Sequence, residues 1–269
     1  MVLEAMQFEF SSFVNLTYAP ENEPRTPDGL PTLKPKDVQD WLKRIRKRCA
    51  PSLLRYFAVG EYGDTNHRPH YHVALFGFPP CLGNALVLKG ACQCASCCTV
   101  RDTWGFGHVL VGDLNIRSAR YITGYVSKKF TRPNDPLLEG RYPEFARMSL
   151  RPGIGAAAIP DVASSMMQYK IEEKSADVPS ALRHGSTLLP MGRYLRRLLR
   201  KQVGLDENAP PEILEALRSG LLPVFEAVET SFPEAKGNLK RLLVQDTMEK
   251  VNEQYARNVS ARQNRKRKL

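Results

Sequence analysis

His70 and His72 stand two residues apart in Arg68-Pro69-His70-Tyr71-His72-Val73-Ala74-Leu75-Phe76, a run that alternates like a β-strand. Side chains two apart on a strand share a face, so both imidazoles can meet one metal ion. Glu61 upstream can join them, giving a facial set of two nitrogens and a carboxylate with coordination positions left open. Such a set suits Mg²⁺ or Mn²⁺ holding a phosphate oxygen better than a closed structural zinc. Further along comes Tyr121-Ile122-Thr123-Gly124-Tyr125-Val126-Ser127-Lys128-Lys129. On a helix, the i, i+4 spacing stacks Tyr121 and Tyr125 on one face with Lys128 one turn beyond, while Ile122 and Val126 supply a separate apolar face. A free phenol titrates near 10, so its attack on a phosphodiester needs a metal's field or a cation such as Lys128 or Lys129. A paired-histidine site and a tyrosine pair together suggest transesterification on DNA.

These groups need a scaffold of strands and helices. Residues 8–18 are rich in aromatic and β-branched types and read as a strand. Over residues 35–48, Val38, Trp41, Leu42 and Ile45 recur at helical spacing, and Lys43, Arg44, Arg46 and Lys47 form a basic face. Residues 53–62 and 70–78 read as strands joined through a hairpin-type loop at 63–66, which brings Glu61 opposite or nearly opposite His70. Residues 107–114 form a further expected strand, and Ser118 sits where an N-cap would open the tyrosine helix. Gly and Pro clusters predict irregular structure over 132–160, followed by helices over 191–203, 212–230 and 234–258. The basic run at 262–268 has no apolar partners and reads as disordered.

The balance of 39 basic against 28 acidic residues gives a formal net charge of +11, which favours polyanionic partners through counterion release. The chain has no apolar run of the roughly 18 residues a membrane span requires, and its N-terminus carries Glu4 and Glu9 rather than a signal pattern. A soluble protein without membrane association is expected. Cys92, Cys94, Cys97 and Cys98 crowd together, with Cys81 upstream. Two readings stand for this insert at 81–99: a structural Zn²⁺ held by Cys92, Cys94, Cys97 and Cys98, or reduced thiols in a loop. His67, in the turn, and His108, after Trp104, are weaker ligand candidates.

Five stretches, in this order, resemble the HUH endonuclease superfamily, and within it the replication initiation proteins of gokushovirus-type microviruses. They are Phe13-Val14-Asn15-Leu16-Thr17-Tyr18, Val59-Gly60-Glu61-Tyr62-Gly63, Arg68-Pro69-His70-Tyr71-His72, the Tyr121–Lys129 segment, and Met148-Ser149-Leu150-Arg151-Pro152-Gly153-Ile154-Gly155. The resemblance implies an α+β fold: a central antiparallel sheet of ferredoxin or RRM-like type flanked by helices, followed by a mainly α-helical C-terminal region. It divides the chain into an endonuclease domain at 1–158, a helical region at 159–257 and a basic tail at 258–269. By the same resemblance Glu61, His70 and His72 are ligands of Mg²⁺ or Mn²⁺, Tyr121 and Tyr125 are nucleophiles, and Lys128 assists them. Thr17 belongs to the first motif, whose role is structural or DNA-positioning. The implied activity is nicking and rejoining of single-stranded origin DNA through a 5′-phosphotyrosine link during rolling-circle replication. That implies work beside host polymerase and helicase in the bacterial cytoplasm. No Walker-type phosphate loop is present, in keeping with joining that needs no nucleotide. Lys43, Arg44, Arg46, Lys47 and Lys129 are candidate DNA contacts. Two other readings stand beside this one: an HUH transposase or plasmid initiator, and a non-catalytic zinc-containing DNA-binding module.

Overall fold

The computed structural model describes residues 1–269 apart from 64–65, 82, 84–91, 129–135, 172–176, 186, 238, 241–242, 245, 249 and 251–269. Residues 125–128, 137 and 217 are described by their backbone alone. The expected disordered tail, Lys129, and most of the expected helix at 234–258 therefore lie wholly or largely outside the described residues.

The chain begins with a short helix, α1 (Val2–Ala5), and then β1 (Ser11–Thr17), α2 (Pro35–Arg48), β2 (Arg55–Tyr62) and β3 (Pro69–Phe76). After these come α3 (Ala95–Trp104), β4 (Val109–Asp113), α4 (Ile116–Lys128) and β5 (Phe145–Met148). The five strands form one antiparallel sheet in the order β4-β1-β3-β2-β5. This is the expected α+β arrangement, with β3 at the centre.

Strand alternation divides the apolar residues between two layers. Val14, Leu16 and Tyr18, with Tyr71, Val73 and Leu75, pack with Val38, Trp41, Leu42 and Ile45 of α2 and Val100 and Trp104 of α3. Phe57, Val59, Ala74 and Phe76 point the other way and pack with Ile122 of α4, which is wholly buried. A one-residue slip of β3 would exchange these two sets, so the register that places the histidines is fixed by burial on both sides.

Two elements depart from expectation. The cysteine-rich segment runs into α3, capped at its N-terminus by the Cys94 side chain and closed by Gly105 at φ 69°, the left-handed conformation glycine adopts freely. β5 arises inside the stretch expected to be irregular. It joins the edge of β2 because Gly60 leaves room for the Phe145 ring; a Cβ there would come within 2.5 Å of it.

The 148–155 stretch is a docking loop. Arg55 at the start of β2 donates to the Pro152 carbonyl at 2.7 Å and is paired with buried Glu4 of α1, whose other carboxylate oxygen accepts from Gly155 N at 2.6 Å. Gly153 N donates to the Tyr194 hydroxyl at 3.0 Å, which ties the loop to the C-terminal elements. Those elements are α5 (Ile159–Gln168), a hairpin of β6 (Ala181–His184) and β7 (Thr187–Pro190), α6 (Arg193–Gln202) and α7 (Pro211–Ser231). The hairpin adds strand to a region read from sequence as helical. Ile159, Ala163, Met166, Val178, Met191 and Leu199 make a separate small core here, beside a buried Asp177–Arg200 pair.

Candidate active site and cysteine centre

The layer under α4 carries the predicted chemistry. Glu61 pairs with His70 across β2 and β3, and Asn15 of β1 pairs with His72 across β1 and β3, so all four side chains lie on one face of the sheet. His72 Nε2 lies 2.7 Å from Glu61 Oε1, and both residues are buried. The His70 Nδ1–H donates to the Arg68 carbonyl at 2.7 Å, which orients the ring and leaves Nε2 as its ligand nitrogen. Burial holds the His70 imidazole below its ordinary titration range, favouring the neutral form a metal requires. Glu61, His70 and His72 do not gather as tightly as the cysteines: among the described residues, only the cysteine set has all its donor atoms within 4.8 Å of one another. Two acceptors in this layer, Glu61 Oε2 and Asn15 Oδ1, are buried without a hydrogen-bond partner among the described residues. An unsatisfied buried acceptor costs about 1–3 kcal/mol, which a bound cation or ligand donor would offset.

α4 delivers Tyr121 to this group. Its N-cap is Asn115, whose Oδ1 accepts from Arg117 N at 2.9 Å and Ser118 N at 3.1 Å, while Ser118 Oγ accepts from Asn115 N at 2.8 Å. Ser118 is thus the return arm of a capping box and not the N-cap itself. Ile122 buries itself against the sheet, and the neighbouring Tyr121 remains about half exposed at 49%. The Tyr121 ring stands edge-on to His72 at 5.1 Å and to Phe13 at 6.0 Å, and Phe13 stacks on His72 at 5.9 Å. Tyr125 and Lys128 belong to the same helix, but their side chains lie outside the described residues. Phe13 and Asn15 were not singled out from sequence as site residues. Their place in the alternation of β1, in phase with Thr17, was the available signal.

The basic face of α2 lies on the opposite layer. Arg44 donates to the Thr103 carbonyl at 2.7 Å, Arg46 donates to the Leu54 carbonyl at 3.2 Å, and Lys43 pairs with Asp40 at 3.1 Å. Lys47 is exposed on the same helix. The structure therefore does not bring these cations to the histidine face. His67 takes a positive φ in the β2–β3 turn, and the His108 carbonyl accepts from Thr17 N at 3.0 Å, so each has a backbone role.

In the same opposite layer the cysteines gather, with one change of partner. Cys81, Cys92, Cys94 and Cys97 lie with all four sulfurs within 4.8 Å of one another, a set that could bind a soft metal such as zinc. Cys98 stands outside the set, its sulfur 3.5 Å from Gln93 Oε1. Successive helical residues diverge by about 100°, so Cys97 and Cys98 on α3 cannot both face one centre. Burial pushes the Cys94 thiol up, but the Cys97 N–H and the surrounding thiols outweigh it and bring Cys94 down to about 7.

Among the described residues no helix is long and apolar enough to cross a membrane. No solved structure matches the chain. Sequence comparison is more informative. The chain is 30% identical over 140 residues to "Replication-associated protein VP4" of Bdellovibrio phage phiMH2K, covering 49% of this chain and 43% of that protein. It is 32% identical over 147 residues to "Replication-associated protein ORF2" of Spiroplasma virus 4, covering 53% and 45%. To "Replication-associated protein ORF4" of Chlamydia phage 1 it is 27% identical over 230 residues, covering 82% and 54%. The chain thus spans about half the length of the curated relatives it matches. The family model for replication-associated proteins of the ORF2 type matches residues 11–130, from β1 through α4 and both histidines, and these residues carry that family's sequence pattern.

Proposed function

We propose that the α4 face of the sheet is the catalytic centre of a replication initiator that nicks and rejoins single-stranded DNA at an origin. The observation that carries this reading is the placement of Tyr121 edge-on at 5.1 Å to His72, itself 2.7 Å from Glu61. Support also comes from the relatives named as replication-associated proteins and from the basic charge of the chain.

Tyr121 is the nucleophile in this proposal. Its phenolic oxygen gives up a proton and attacks phosphorus; the P–O3′ bond breaks, the 3′ oxygen leaves and takes up a proton, and the 5′ phosphate stays on the tyrosine. Rejoining runs the step backwards, with a 3′ hydroxyl displacing the phenolate, so the bond energy is kept in the protein link and no nucleotide is consumed. Tyr125, one helical turn on, is the second nucleophile that allows a further exchange, with Lys128 as the cation favouring the phenolate. Glu61, His70 and His72 are the residues that would hold Mg²⁺ or Mn²⁺. The fit rests on the donor set and on Glu61 Oε2, a buried carboxylate oxygen without a hydrogen-bond partner among the described residues. When bound, the ion supplies Lewis-acid polarisation of the scissile phosphate. Phe13 and His72 shape an aromatic wall beside Tyr121 on which an unstacked base can rest. The site of action is the infected bacterial cell, where the released 3′ hydroxyl primes host polymerase.

The test is incubation of the full chain with Mn²⁺ or Mg²⁺ and labelled single-stranded fragments tiling the parent genome. A denaturation-resistant protein–DNA band is expected, lost when Tyr121→Phe and Tyr125→Phe are combined. Intact DNA binding by folded protein, without any adduct or nick, would instead make the chain a non-catalytic binding module.

A further inference from the structure

We propose that Cys81, Cys92, Cys94 and Cys97 bind one structural Zn²⁺ that fastens the insert after β3 to the first turn of α3, on the side of the sheet away from the histidines. Four thiolates around zinc at the usual Zn–S length of about 2.3 Å form a tetrahedron with sulfurs about 3.8 Å apart. The Cys81–Cys92 and Cys94–Cys81 sulfur separations are 3.5 and 3.7 Å, and all six cysteines of the chain are free thiols.

The surroundings are built for such a centre. Cys94 is the N-cap of α3, and its sulfur accepts from Cys97 N at 3.5 Å, a hydrogen bond that favours thiolate. Arg101, one turn further along α3, donates to the Cys92 carbonyl at 2.7 Å and so holds that ligand's backbone against the helix. Cys92 and Cys97 are buried in the core shared by α2, α3 and the sheet, with Cys81 and Cys94 packed against it. Binding replaces four S–H protons with one Zn²⁺ and releases those protons to solvent, leaving a closed four-sulfur site with no position for a substrate. The role is therefore structural. The ion draws together the start of the insert, its end, and the helix that carries Thr103 and Trp104. Thr103 in turn accepts from Trp41 Nε1 of α2 at 3.1 Å, and Trp104 Nε1 donates to the Thr17 carbonyl at 3.0 Å.

This proposal does not depend on the nicking reaction, and its readouts are independent of it. The full-length chain, purified without chelator and dialysed against Zn²⁺, is analysed for zinc by mass spectrometry beside the variants Cys81→Ser and Cys98→Ser. Wild type and Cys98→Ser are expected to retain about one zinc per chain, and Cys81→Ser to lose it or bind at least tenfold more weakly. Because Cys81→Ser could fail to fold, the wild-type chain is also alkylated under native conditions and its thiols mapped. Bound metal should shield Cys81, Cys92, Cys94 and Cys97 and leave Cys98 reactive, a pattern abolished by chelator. That map also separates this site from zinc held at the histidines. Absence of zinc from folded protein, shielding of Cys98 in place of Cys81, or recovery of the four cysteines as disulfides would each overturn the proposal.

Discussion

The two faces of the sheet use the same residue types for opposite ends. Under α2 and α3, Tyr18 and Tyr71 are buried, share a 2.9 Å hydrogen bond, and are further tied to Asp37 and to Lys34 N. Burial pushes both phenols well above their ordinary range, so they act as satisfied core groups and not as nucleophiles. Under α4, Tyr121 is half exposed beside His72, and two buried acceptors in the same layer have no partner among the described residues. The buried carboxylates differ in the same way. Asp177 is held by Arg200 at 2.6 Å through both oxygens and accepts also from Arg196 and Val178 N, whereas Glu61 uses one oxygen on His72. A finished network stabilises a fold; an unfinished one inside a well-packed layer marks where a ligand belongs.

The largest expected effect separates the tyrosines. Tyr121→Phe should lower adduct formation by about 10³-fold or more while leaving the melting temperature near wild type, since a half-exposed ring loses only its hydroxyl. Tyr18→Phe should leave the adduct in place. Equal losses in both variants would erase the distinction between the faces.

Next come the carboxylates. Asp177→Asn should cost about 3 kcal/mol, read by denaturant unfolding, because it strands a buried arginine. The hydrogen bonds from Arg200 hold the Asp177 carboxyl below its ordinary value. Its folded pKa is thus depressed, and the stability it gives is present above the usual carboxylate range of about 4 and lost as the pH falls through the folded value. Wild type should lose that increment on acidification, and Asp177→Asn should lack that part of the acid-side slope. Glu61→Gln, by contrast, should leave metal-free stability within about 0.5 kcal/mol of wild type and abolish metal-dependent adduct formation. A destabilisation matching that of Asp177→Asn would mean that Glu61 is a finished structural partner.

Smaller still, Tyr18→Phe should destabilise by about 1 kcal/mol through its lost hydrogen bonds to Asp37 and Tyr71. Gly124→Ala in α4 should stabilise by about 0.5–1 kcal/mol, since a Cβ there meets nothing within 4 Å. Weaker DNA binding by that otherwise stabilised variant would locate DNA against the exposed side of the helix.

Much of this contrast is written in strand alternation. The period of two in β1, β2 and β3 assigns Glu61, His70 and His72 to one face and Tyr18 and Tyr71 to the other, and the apolar positions of α2 mark its buried side. What alternation cannot carry is contact made at a distance in sequence. β5 is four residues long amid Gly and Pro, and depends on the space above Gly60. Crowding in sequence favoured Cys98 as the fourth thiol, whereas the chain reversal after β3 returns Cys81 to the cluster and the turn of α3 carries Cys98 away. Ser118 has the composition of an N-cap, but Asn115 three residues earlier captures the free amides first. Glu4 gave no signal of its burial, which depends on Arg55 and the 148–155 loop arriving from far along the chain.

The most direct measurement is to digest the covalent protein–DNA product and locate the nucleotide by peptide mass spectrometry. A phosphonucleotide on Tyr121, passing to Tyr125 when Tyr121 is replaced, is the predicted result. Nicked DNA with no protein attached, or a nucleotide on a tyrosine outside α4 such as Tyr142, would contradict the assignment of the α4 face as the catalytic centre.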